Sequence, residues 1–284
     1  MPRPIIVCEA GINAEGSMER TFRLICLAKT MGADYIKFQV KNINKTYPQE
    51  YLDKPKKTEF GDTIRAEKQA LEYTNEQLGE IDKFCKRQGI KWFATPRDAE
   101  SAERLMRWNP PFMKIASGSI PDHELVEFIC RTKKPTILSV GMAYASEIDG
   151  MVRYFEDHGG NLQYILHAIL VYPTPERQMN MRRIKTLQHM YGDKYKIGFS
   201  NHSKKIIYMV QAAVMGAKMI EFHFTEDRDL PGVDQKSSIG PTGFKRVMDH
   251  LASIENGWGD GEIVPFQEEL DKGCKWLWRQ RREL

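Results

Sequence analysis

Residues 219–241 read MIEFHFTEDRDLPGVDQKSSIGP, a short apolar strand that ends on a histidine and runs into a long polar loop. Glu221 and His223 alternate with Ile220 and Phe222 in this strand. Successive side chains of a strand point to opposite faces, so the two polar residues share one face and the two apolar residues share the other. This pattern is typical of a strand that packs its apolar face against helices and lines a functional site with its polar face.

Short apolar strands of this kind alternate with amphipathic segments along most of the chain. We predict strands at residues 4–9, 34–40, 91–95, 112–116, 135–140, 162–167, 196–200 and 218–223. We predict helices at residues 18–31, 75–88, 98–107, 121–132, 146–157, 180–190, 203–215 and 242–255. Strict alternation predicts an α/β fold with a parallel sheet, and eight such units predict a closed (β/α)8 TIM barrel. The first connection, GINAEGS at residues 11–17, lacks the GxGxxG pattern and so disfavours a dinucleotide-binding fold.

The length of the chain and two irregular segments define the expected domain organisation. The chain has 284 residues, and a barrel of about 250 residues would occupy most of it. We expect a catalytic barrel domain at residues 1–255 and a C-terminal extension at residues 256–284. Residues 41–74 interrupt the alternation, and a connection of this length is expected to cover one mouth of the barrel. The apolar run WLW at residues 276–278 predicts that the extension packs on the barrel or on a partner subunit.

Composition excludes several classes of partner and compartment. The net charge of +4 is too small to indicate a nucleic-acid partner but suits a small anionic substrate. The 5 cysteines are scattered without a CxxC pair, which indicates a reducing cytoplasm. The apolar run at the N-terminus is too short for a signal peptide, and no stretch approaches a membrane span. We therefore expect a cytoplasmic enzyme without a membrane partner.

Polar side chains at the strand ends indicate where the site lies. In a barrel of this kind the active site is found at the C-terminal ends of the strands. Every predicted strand brings at least one polar residue to that end: Glu9, Lys37, Gln39, Thr95, Lys114, Ser117, Ser139, His167, Ser200, His202, Glu221 and His223. Burying several ionisable groups costs free energy unless they pair or bind a ligand. Taken alone, each residue also has a structural interpretation, and His167 fits a core histidine as well as a substrate contact.

Two groups among these residues indicate a particular chemistry. Lys37 and Lys114 on the inward face are typical of a clamp for a phosphate or carboxylate. His202 and His223 end neighbouring strands, and with Glu9 they predict a divalent metal with open positions. Such donors suit manganese, iron, cobalt or zinc better than calcium. An anion clamp beside a metal fits carbon–carbon bond formation from an activated three-carbon unit, but it fits aldol cleavage as well.

Seven motifs narrow this choice by resemblance. In chain order they are GADYIKFQ (32–39), FATPRD (93–98), MKIASG (113–118), ILSVGMA (137–143), LH followed by YPTP (166–175), GFSNHS (198–203) and EFHFTEDRDLPGVDQKSS (221–238). Together they resemble the sialic acid synthase family, the phosphoenolpyruvate-dependent synthases of N-acetylneuraminate and related nonulosonic acids. The fold of that family is a (β/α)8 barrel, which agrees with the strand count.

The resemblance implies roles for individual residues. His202 and His223 would bind a divalent metal, usually manganese, with magnesium, cobalt and zinc as alternatives. Glu9 would lie beside the metal and its water, while Lys37 and Lys114 would bind phosphoenolpyruvate. Our candidate catalytic residues are Glu9, Lys37, Lys114 and Glu221. Our candidate substrate-binding residues are Gln39, Thr95, Ser117, Ser139, His167, Tyr172 and Asp234, of which Gln39, Tyr172 and Asp234 would face the acceptor.

The resemblance also implies a reaction and an assembly. The metal would activate the open-chain aldehyde of an aldose or amino sugar, C3 of phosphoenolpyruvate would attack it, and water at C2 would lead to loss of phosphate. The product would be a 2-keto-3-deoxy acid, and the enzyme would be a homodimer.

Several positions depart from the family pattern. The family has Asn-His-Asn-Gly where this chain has Asn13-Ala14-Glu15-Gly16, and it has Glu, Asn and His where this chain has Ser119, Leu170 and Gln235. The family also carries a C-terminal antifreeze-like domain of about 60 residues, which this sequence, ending at residue 284, is expected to lack. These departures leave two alternatives to a synthase. One is a weakened binding module or a subunit that needs a separate acceptor-lid protein, and the other is a metal-dependent aldolase.

Overall fold

The computed structural model describes residues 2–232 and 234–273 of the chain. Eight parallel strands form one sheet, and two further strands form a small antiparallel hairpin. The strands are β1 (Ile5–Gly11), β2 (Tyr35–Val40), β3 (Pro55–Thr58), β4 (Gly61–Thr63), β5 (Lys91–Pro96), β6 (Met113–Ile115), β7 (Thr136–Ser139), β8 (Leu162–Ala168), β9 (Lys196–Asn201) and β10 (Met219–His223). The hairpin consists of β3 and β4.

Helices follow the strands of the large sheet one by one. The α-helices are α1 (Met18–Thr30), α2 (Ile43–Thr46), α3 (Gln49–Leu52), α4 (Ile64–Ala70), α5 (Asn75–Gln88), α6 (Ala99–Leu105), α7 (His123–Thr132), α8 (Ala145–Asp157), α9 (Arg183–Tyr191), α10 (Ile207–Val214), α11 (Pro241–Gly257) and α12 (Gln267–Gly273). Short 3-10 helices lie at Met106–Trp108, Ser117–Ser119, Glu176–Gln178 and Gln235–Ser237. None of the described helices is both long and apolar enough to cross a lipid bilayer.

The large sheet closes into a barrel. Its hydrogen-bonded order is β5-β2-β1-β10-β9-β8-β7-β6, and the two end strands, β5 and β6, lie against each other. Phe93 of β5 and Phe112, which precedes β6, pack edge to face across this seam with ring centroids 5.7 Å apart. The predicted (β/α)8 barrel is therefore confirmed, and every predicted strand and helix of the barrel is present within a few residues of its expected bounds.

Two apolar layers divide the molecule into an interior and a shell. The larger layer lies between sheet and helices and includes Ile6, Ile36, Phe222 and Phe244. The smaller layer fills the lower half of the barrel and consists of Val7, Phe93, Phe112, Ile137, Tyr164, Leu166 and Met219. The side-chain alternation of each strand assigns neighbouring residues to the two layers. Above the smaller layer, the same inward positions of the strands carry polar side chains.

The segment 41–74 forms a compact insertion after β2. It contains α2, α3, the hairpin and α4, and its base is fixed by a buried ion pair between Lys41 and Glu72 at 2.9 Å. The Glu72 carboxylate also accepts a hydrogen bond from the Lys41 backbone N–H at 3.0 Å. Among the described residues that line the central cavity, none comes from this segment. The insertion is therefore anchored at the barrel rim and does not line the cavity.

The extension that was predicted at residues 256–284 is described only in part. Residues 259–269 are exposed, including Ile263 and Phe266, so they bury no side chain against the barrel. The run at residues 276–278, on which the packing prediction rests, lies outside the described residues.

Gly198 in β9 provides a test of this packing. A Cβ atom at this position would lie 2.4 Å from Leu166 Cδ2 and 2.6 Å from the Met219 carbonyl oxygen. We expect Gly198→Ala to lower the free energy of unfolding by about 1–3 kcal/mol, because the backbone of β10 cannot move aside. Gly150→Ala in α8 is the control, since a Cβ there has no neighbour within 4 Å.

The control should raise the free energy of unfolding by about 0.5–1 kcal/mol, the usual gain for alanine over glycine in a helix. Urea denaturation followed by circular dichroism measures both changes. Equal stability of the Gly198→Ala variant and the wild type would contradict the described approach of β9 and β10.

Candidate active site

The C-terminal mouth of the barrel holds a cavity of about 190 Å³. It is lined by Glu9, Lys37, Gln39, Thr95, Arg97, Lys114, Ala116, Ser117, Gly118, Ser139, Ala168, Leu170, Tyr172, Ser200, His202, Glu221 and His223. These residues come from all eight strands of the barrel and from the loops that follow them. The polar inward positions predicted from the sequence thus converge on one site, with the exceptions of His167 and Asp234.

Four charged side chains form the floor of this cavity, and we call them the buried charge cluster: Glu9, Lys37, Lys114 and Glu221. The Lys114 ammonium donates to both Glu221 oxygens, at 2.5 and 2.6 Å. Lys37 forms an ion pair with Glu9 and lies 3.8 Å from Glu221. All four side chains are at most 6% exposed. The ammonium groups therefore meet within reach of one small anion.

Burial and pairing set the protonation of Lys114 and Glu221. Burial lowers the pKa of Lys114 and Lys37 repels its charge, so that its pKa falls to about 8 although Glu221 partly compensates. Burial alone would raise the pKa of Glu221, but the charges of Lys114 and Lys37 outweigh it and lower this pKa to about 2. Two cations stabilise the Glu221 carboxylate, whereas Lys37 repels the Lys114 ammonium. The pKa of Glu221 is therefore lowered in spite of its burial, while the pKa of Lys114 stays below its ordinary value in spite of its carboxylate partner. At neutral pH Glu221 is a carboxylate and Lys114 an ammonium.

Neutral hydrogen-bonding groups surround the charge cluster. Thr95 accepts a hydrogen bond from Lys37 at 2.9 Å, and Gln39 donates to Glu9 at 3.0 Å. Ser200 donates to Glu221 at 3.1 Å. The buried hydroxyl of Ser139 has no hydrogen-bond partner among the described residues. Because buried polar atoms are nearly always satisfied, this hydroxyl has a position open for a ligand.

His202 and His223 face each other on neighbouring strand ends, with ring centroids 5.5 Å apart. His202 Nδ1 lies 2.6 Å from the Ile169 carbonyl, which can only accept, so Nδ1 carries the proton and Nε2 presents a lone pair. Burial first, and then the neighbouring His223, lower the pKa of His202 to about 3. The ring is therefore neutral at physiological pH, the form that ligates metals.

Two buried imidazoles are the side chains of this cavity that could ligate a divalent metal. His223 Nδ1 is buried without a hydrogen-bond partner among the described residues, and the nearest carboxylate, Asp234, lies 3.6 Å away. The carbonyl behind His202 Nδ1 is the kind of partner that orients a metal-bound imidazole. In the described part of the chain, no group of three or more His, Cys, Asp or Glu side chains is arranged to hold a metal. Two imidazoles would thus be the protein nitrogen ligands, and water or substrate would supply further donors.

Tyr172 connects the histidines to the mouth of the cavity. Its hydroxyl lies 3.1 Å from His202 Nε2, and its ring packs against both imidazoles. Burial raises the pKa of the Tyr172 phenol, and the charges of Asp234 and Glu221 raise it further. The protonated hydroxyl is therefore a donor to His202 Nε2. Tyr172 is 47% exposed and would have to release His202 Nε2 before that atom could bind a metal.

His167 does not reach this cavity. It lies between Leu166 and Ala168, which both face the barrel interior, so its ring faces the helices. Its Nε2 lies 2.9 Å from the Met179 carbonyl, and its ring stacks on Phe199. The described position of the ring thus agrees with the structural interpretation of this histidine and not with a substrate contact in this cavity. Strand β8 runs one residue further than predicted, to Ala168, and Ala168 takes the inward position.

The positions that depart from the family pattern fall into two groups. Leu170 lines the cavity, and a Cβ added to Gly141 would lie 2.5 Å from Leu170 Cδ1. Gln235 does not line the cavity, and neither does Asn13, a residue that matches the family pattern. Gln235 is fully buried and donates to the Asn13 carbonyl at 2.9 Å, while Asn13 donates to the Phe224 carbonyl at 2.8 Å. These two amides tie the loops after β1 and β10 together and so support the site from outside.

Arg97 is a cavity residue that sequence analysis did not select. It lies two residues beyond Thr95 in the motif FATPRD and follows the end of β5 at Pro96. Its spacing from Thr95 on the inward face was the available signal, but residue 97 lies beyond the strand predicted at residues 91–95.

Comparison with known proteins agrees with this geometry. The sequence profile of the NeuB family matches residues 24–263. The N,N'-diacetyllegionaminic acid synthase of Campylobacter jejuni is 31% identical over 266 residues, which cover 92% of this chain and 79% of that protein. The spore coat polysaccharide biosynthesis protein SpsE of Bacillus subtilis is 32% identical over 271 residues, which cover 93% of this chain and 71% of that protein.

A solved structure extends the likeness to the fold. The N-acetylneuraminic acid synthetase of Leptospira borgpetersenii, crystallised with citrate, superposes with a TM-score of 0.83 at 28% identity. The alignment covers 100% of this chain and 93% of that one. The barrel and its polar mouth thus define a synthase of the sialic acid synthase type, as predicted. The chain belongs to the NeuB family.

The charge cluster leads to a prediction about stability. Glu221→Gln would leave the buried Lys114 ammonium without its carboxylate, so we expect the free energy of unfolding to fall by about 3–5 kcal/mol at neutral pH. Adding Lys114→Met should recover part of that loss, because the uncompensated charge is removed as well. Asp249→Asn, which breaks a surface pair with Lys245, is the control and should have no measurable effect.

Urea denaturation at neutral pH measures all four proteins. If Glu221→Gln is as stable as the wild type, the pair is not buried in the way described here.

Proposed function

We propose that this chain condenses phosphoenolpyruvate with the open-chain aldehyde of a sugar to give a 2-keto-3-deoxy acid of the nonulosonic type. The observation that carries the proposal is the meeting of two buried ammonium groups, Lys37 and Lys114, with a facing pair of imidazoles in one cavity. An anion clamp next to Lewis-acid ligands is what the joining of an enol phosphate to an aldehyde requires. The named synthases among the relatives support the same assignment.

In this proposal the charge cluster binds phosphoenolpyruvate. Lys37 and Lys114 would hold its phosphate or carboxylate, and the hydroxyls of Thr95, Ser117 and Ser139 would donate to the remaining oxygens. Glu9 and Glu221 neutralise the two ammonium groups when no substrate is bound, because two unpaired buried cations would be costly. The arriving anion then shares these cations and needs no rearrangement of the barrel.

The rest of the cavity would bind the acceptor. His202 and His223 would hold a divalent metal, manganese being our first choice, which supplies a Lewis acid for the aldehyde oxygen. Gln39 and Tyr172 would orient the acceptor beside it, and Glu9 would accept a proton from the water that adds at C2. A new bond joins C3 of phosphoenolpyruvate to the aldehyde carbon, and the aldehyde oxygen takes up a proton to become a hydroxyl. Water adds at C2 and gives up its protons as the C2 carbonyl forms, and the bond from C2 to the phosphate oxygen breaks to release inorganic phosphate.

The two alternatives explain fewer of the observations. An aldolase without phosphoenolpyruvate has no use for two buried ammonium groups beside the metal ligands. A binding module without turnover leaves the facing pair of imidazoles, His202 and His223, without a chemical role.

The proposal is tested by release of inorganic phosphate from phosphoenolpyruvate in the presence of manganese and a panel of aldoses and N-acetylhexosamines. We expect release with at least one aldehyde, loss of release on chelation, and a 2-keto acid product by mass spectrometry. Lys114→Met should abolish phosphoenolpyruvate binding in calorimetry, whereas Lys245→Met on the surface of α11 should leave it unchanged. His223→Ala should lower the metal content of the purified protein.

Other outcomes would identify the alternatives. Thermal stabilisation by phosphoenolpyruvate without turnover on any aldehyde would favour the binding module. Cleavage of a 2-keto-3-deoxy acid without phosphate in the reaction would favour the aldolase. Normal phosphoenolpyruvate binding by Lys114→Met would refute the anion clamp.

The pKa of Lys114, about 8, generates a pH prediction. The clamp needs the ammonium form, which is present below this pKa and is lost as the pH rises through it. The apparent Kd for phosphoenolpyruvate should therefore be flat near neutral pH and should rise by up to about tenfold per pH unit above that value. Lys114→Arg keeps its charge throughout this range, so any binding it retains should not weaken above pH ~8.

Calorimetric titrations from neutral to alkaline pH at constant ionic strength measure this dependence. A wild-type Kd that stays constant throughout would contradict the assigned role of Lys114.

A further inference from the structure

Arg97 lies one layer nearer the mouth than the charge cluster. Two residues of a strand rise by about 6.6 Å, so a side chain two positions beyond Thr95 on the same face stands above it. Arg97 lines the cavity together with Gln39 and Tyr172. Its backbone N–H donates to the Val40 carbonyl at 3.0 Å, which fixes the start of the loop. The half-buried guanidinium is therefore held at the upper wall of the cavity.

The guanidinium of Arg97 has no carboxylate partner among the described residues. The other two cations of the cavity, Lys37 and Lys114, both have one. The adjacent carboxylate of Asp98 is engaged in capping α6, where it accepts from the Ser101 N–H at 2.8 Å and from the Asn42 N–H at 2.7 Å. Arg97 thus adds a positive charge to the cavity that the described side chains do not neutralise.

We propose that Arg97 binds an anionic substituent, a phosphate or a carboxylate, that the acceptor sugar carries away from its aldehyde group. This inference rests on the proposed function, because it assigns the acceptor of that reaction. A guanidinium presents two parallel N–H groups that match either anion. In the proposed function the deeper ammonium pair binds the anionic groups of phosphoenolpyruvate. Arg97 instead lines the cavity together with Gln39 and Tyr172, the residues assigned to the acceptor.

The neighbouring residues agree with this assignment. Leu170, which stands where the family has asparagine, lines the same cavity, is apolar and offers no hydrogen bond to a sugar. The positive charge of Arg97 acts on the Tyr172 phenol and partly offsets the rise of its pKa caused by burial and by nearby carboxylates. Because Arg97 and Tyr172 line the same cavity, one acceptor can contact both.

The test compares an N-acetylhexosamine, its 6-phosphate and the matching hexuronate as acceptors, with phosphoenolpyruvate and manganese present. We expect the wild type to prefer one anionic acceptor, and the two anionic arms separate phosphate from carboxylate recognition. Arg97→Gln should lower kcat/KM for the preferred anionic acceptor by about 10- to 100-fold, the usual worth of a charged hydrogen bond. The KM for phosphoenolpyruvate and the rate with the neutral acceptor should change less than about twofold.

Two control variants distinguish the loss of the Arg97 charge from a general loss of activity. Arg97→Lys should retain part of the preference, and Arg107→Gln, an exposed arginine outside the cavity, should retain all of it. Calorimetric binding of the sugar phosphate and of the hexuronate to the manganese- and phosphoenolpyruvate-loaded protein provides a readout that needs no turnover. If Arg97→Gln binds both anionic sugars as tightly as the wild type does, or if turnover favours neutral acceptors equally in both proteins, the inference is overturned. Phosphate release from neutral sugars in that case would leave the proposed synthase reaction standing.

Discussion

The pairing of two ammonium groups with two carboxylates inside the barrel is the constraint on which the site depends. Lys37, Lys114, Glu9 and Glu221 come from β2, β6, β1 and β10, and each is nearly inaccessible to solvent. A buried charge of either sign without its partner would cost several kcal/mol. The four strands must therefore stand in one register for the barrel to be stable, and in that register the cations face the ligand cavity. In this register Glu9 of β1 lies opposite His223 of β10 on one side and Lys37 of β2 on the other.

The same register determines which side chains lie on each face of the sheet. Ile220, Phe222 and Phe224 pack toward the helices, so the alternate positions of the eighth barrel strand are free to carry Glu221 and His223. Below the charge cluster, aromatic rings such as Phe93, Phe112 and Tyr164 fill the barrel with edge-to-face contacts. This apolar floor excludes water from beneath the charges and strengthens their interaction. The polar mouth and the apolar floor thus follow from one alternation that is repeated around the sheet.

Sequence patterns predicted the fold and most of the cavity because both depend on local periods. The inward positions of Glu9, Lys37 and Glu221 follow from counting by twos along single strands. His167 shows the limit of this method, since counting by twos separates the two faces of β8 but does not by itself say which face points into the barrel. The Lys114–Glu221 pair could not be derived from the sequence, because β6 and β10 are not hydrogen-bonded neighbours and their side chains meet only across the closed barrel.

Depth within the cavity explains why the acceptor side is harder to predict from a family pattern. Residues of the charge cluster are constrained by one another as well as by their ligand, so a change in one leaves a buried charge unpaired. Arg97 and Leu170 stand nearer the mouth, and neither is tied by a side-chain hydrogen bond to another described residue. Substitution at these positions changes the free energy of unfolding of the barrel little. The residue types there can therefore differ between proteins that use different acceptors. A chain that keeps the lysine pair while placing a leucine at the rim where the family has asparagine is therefore expected to keep the donor and to change its acceptor.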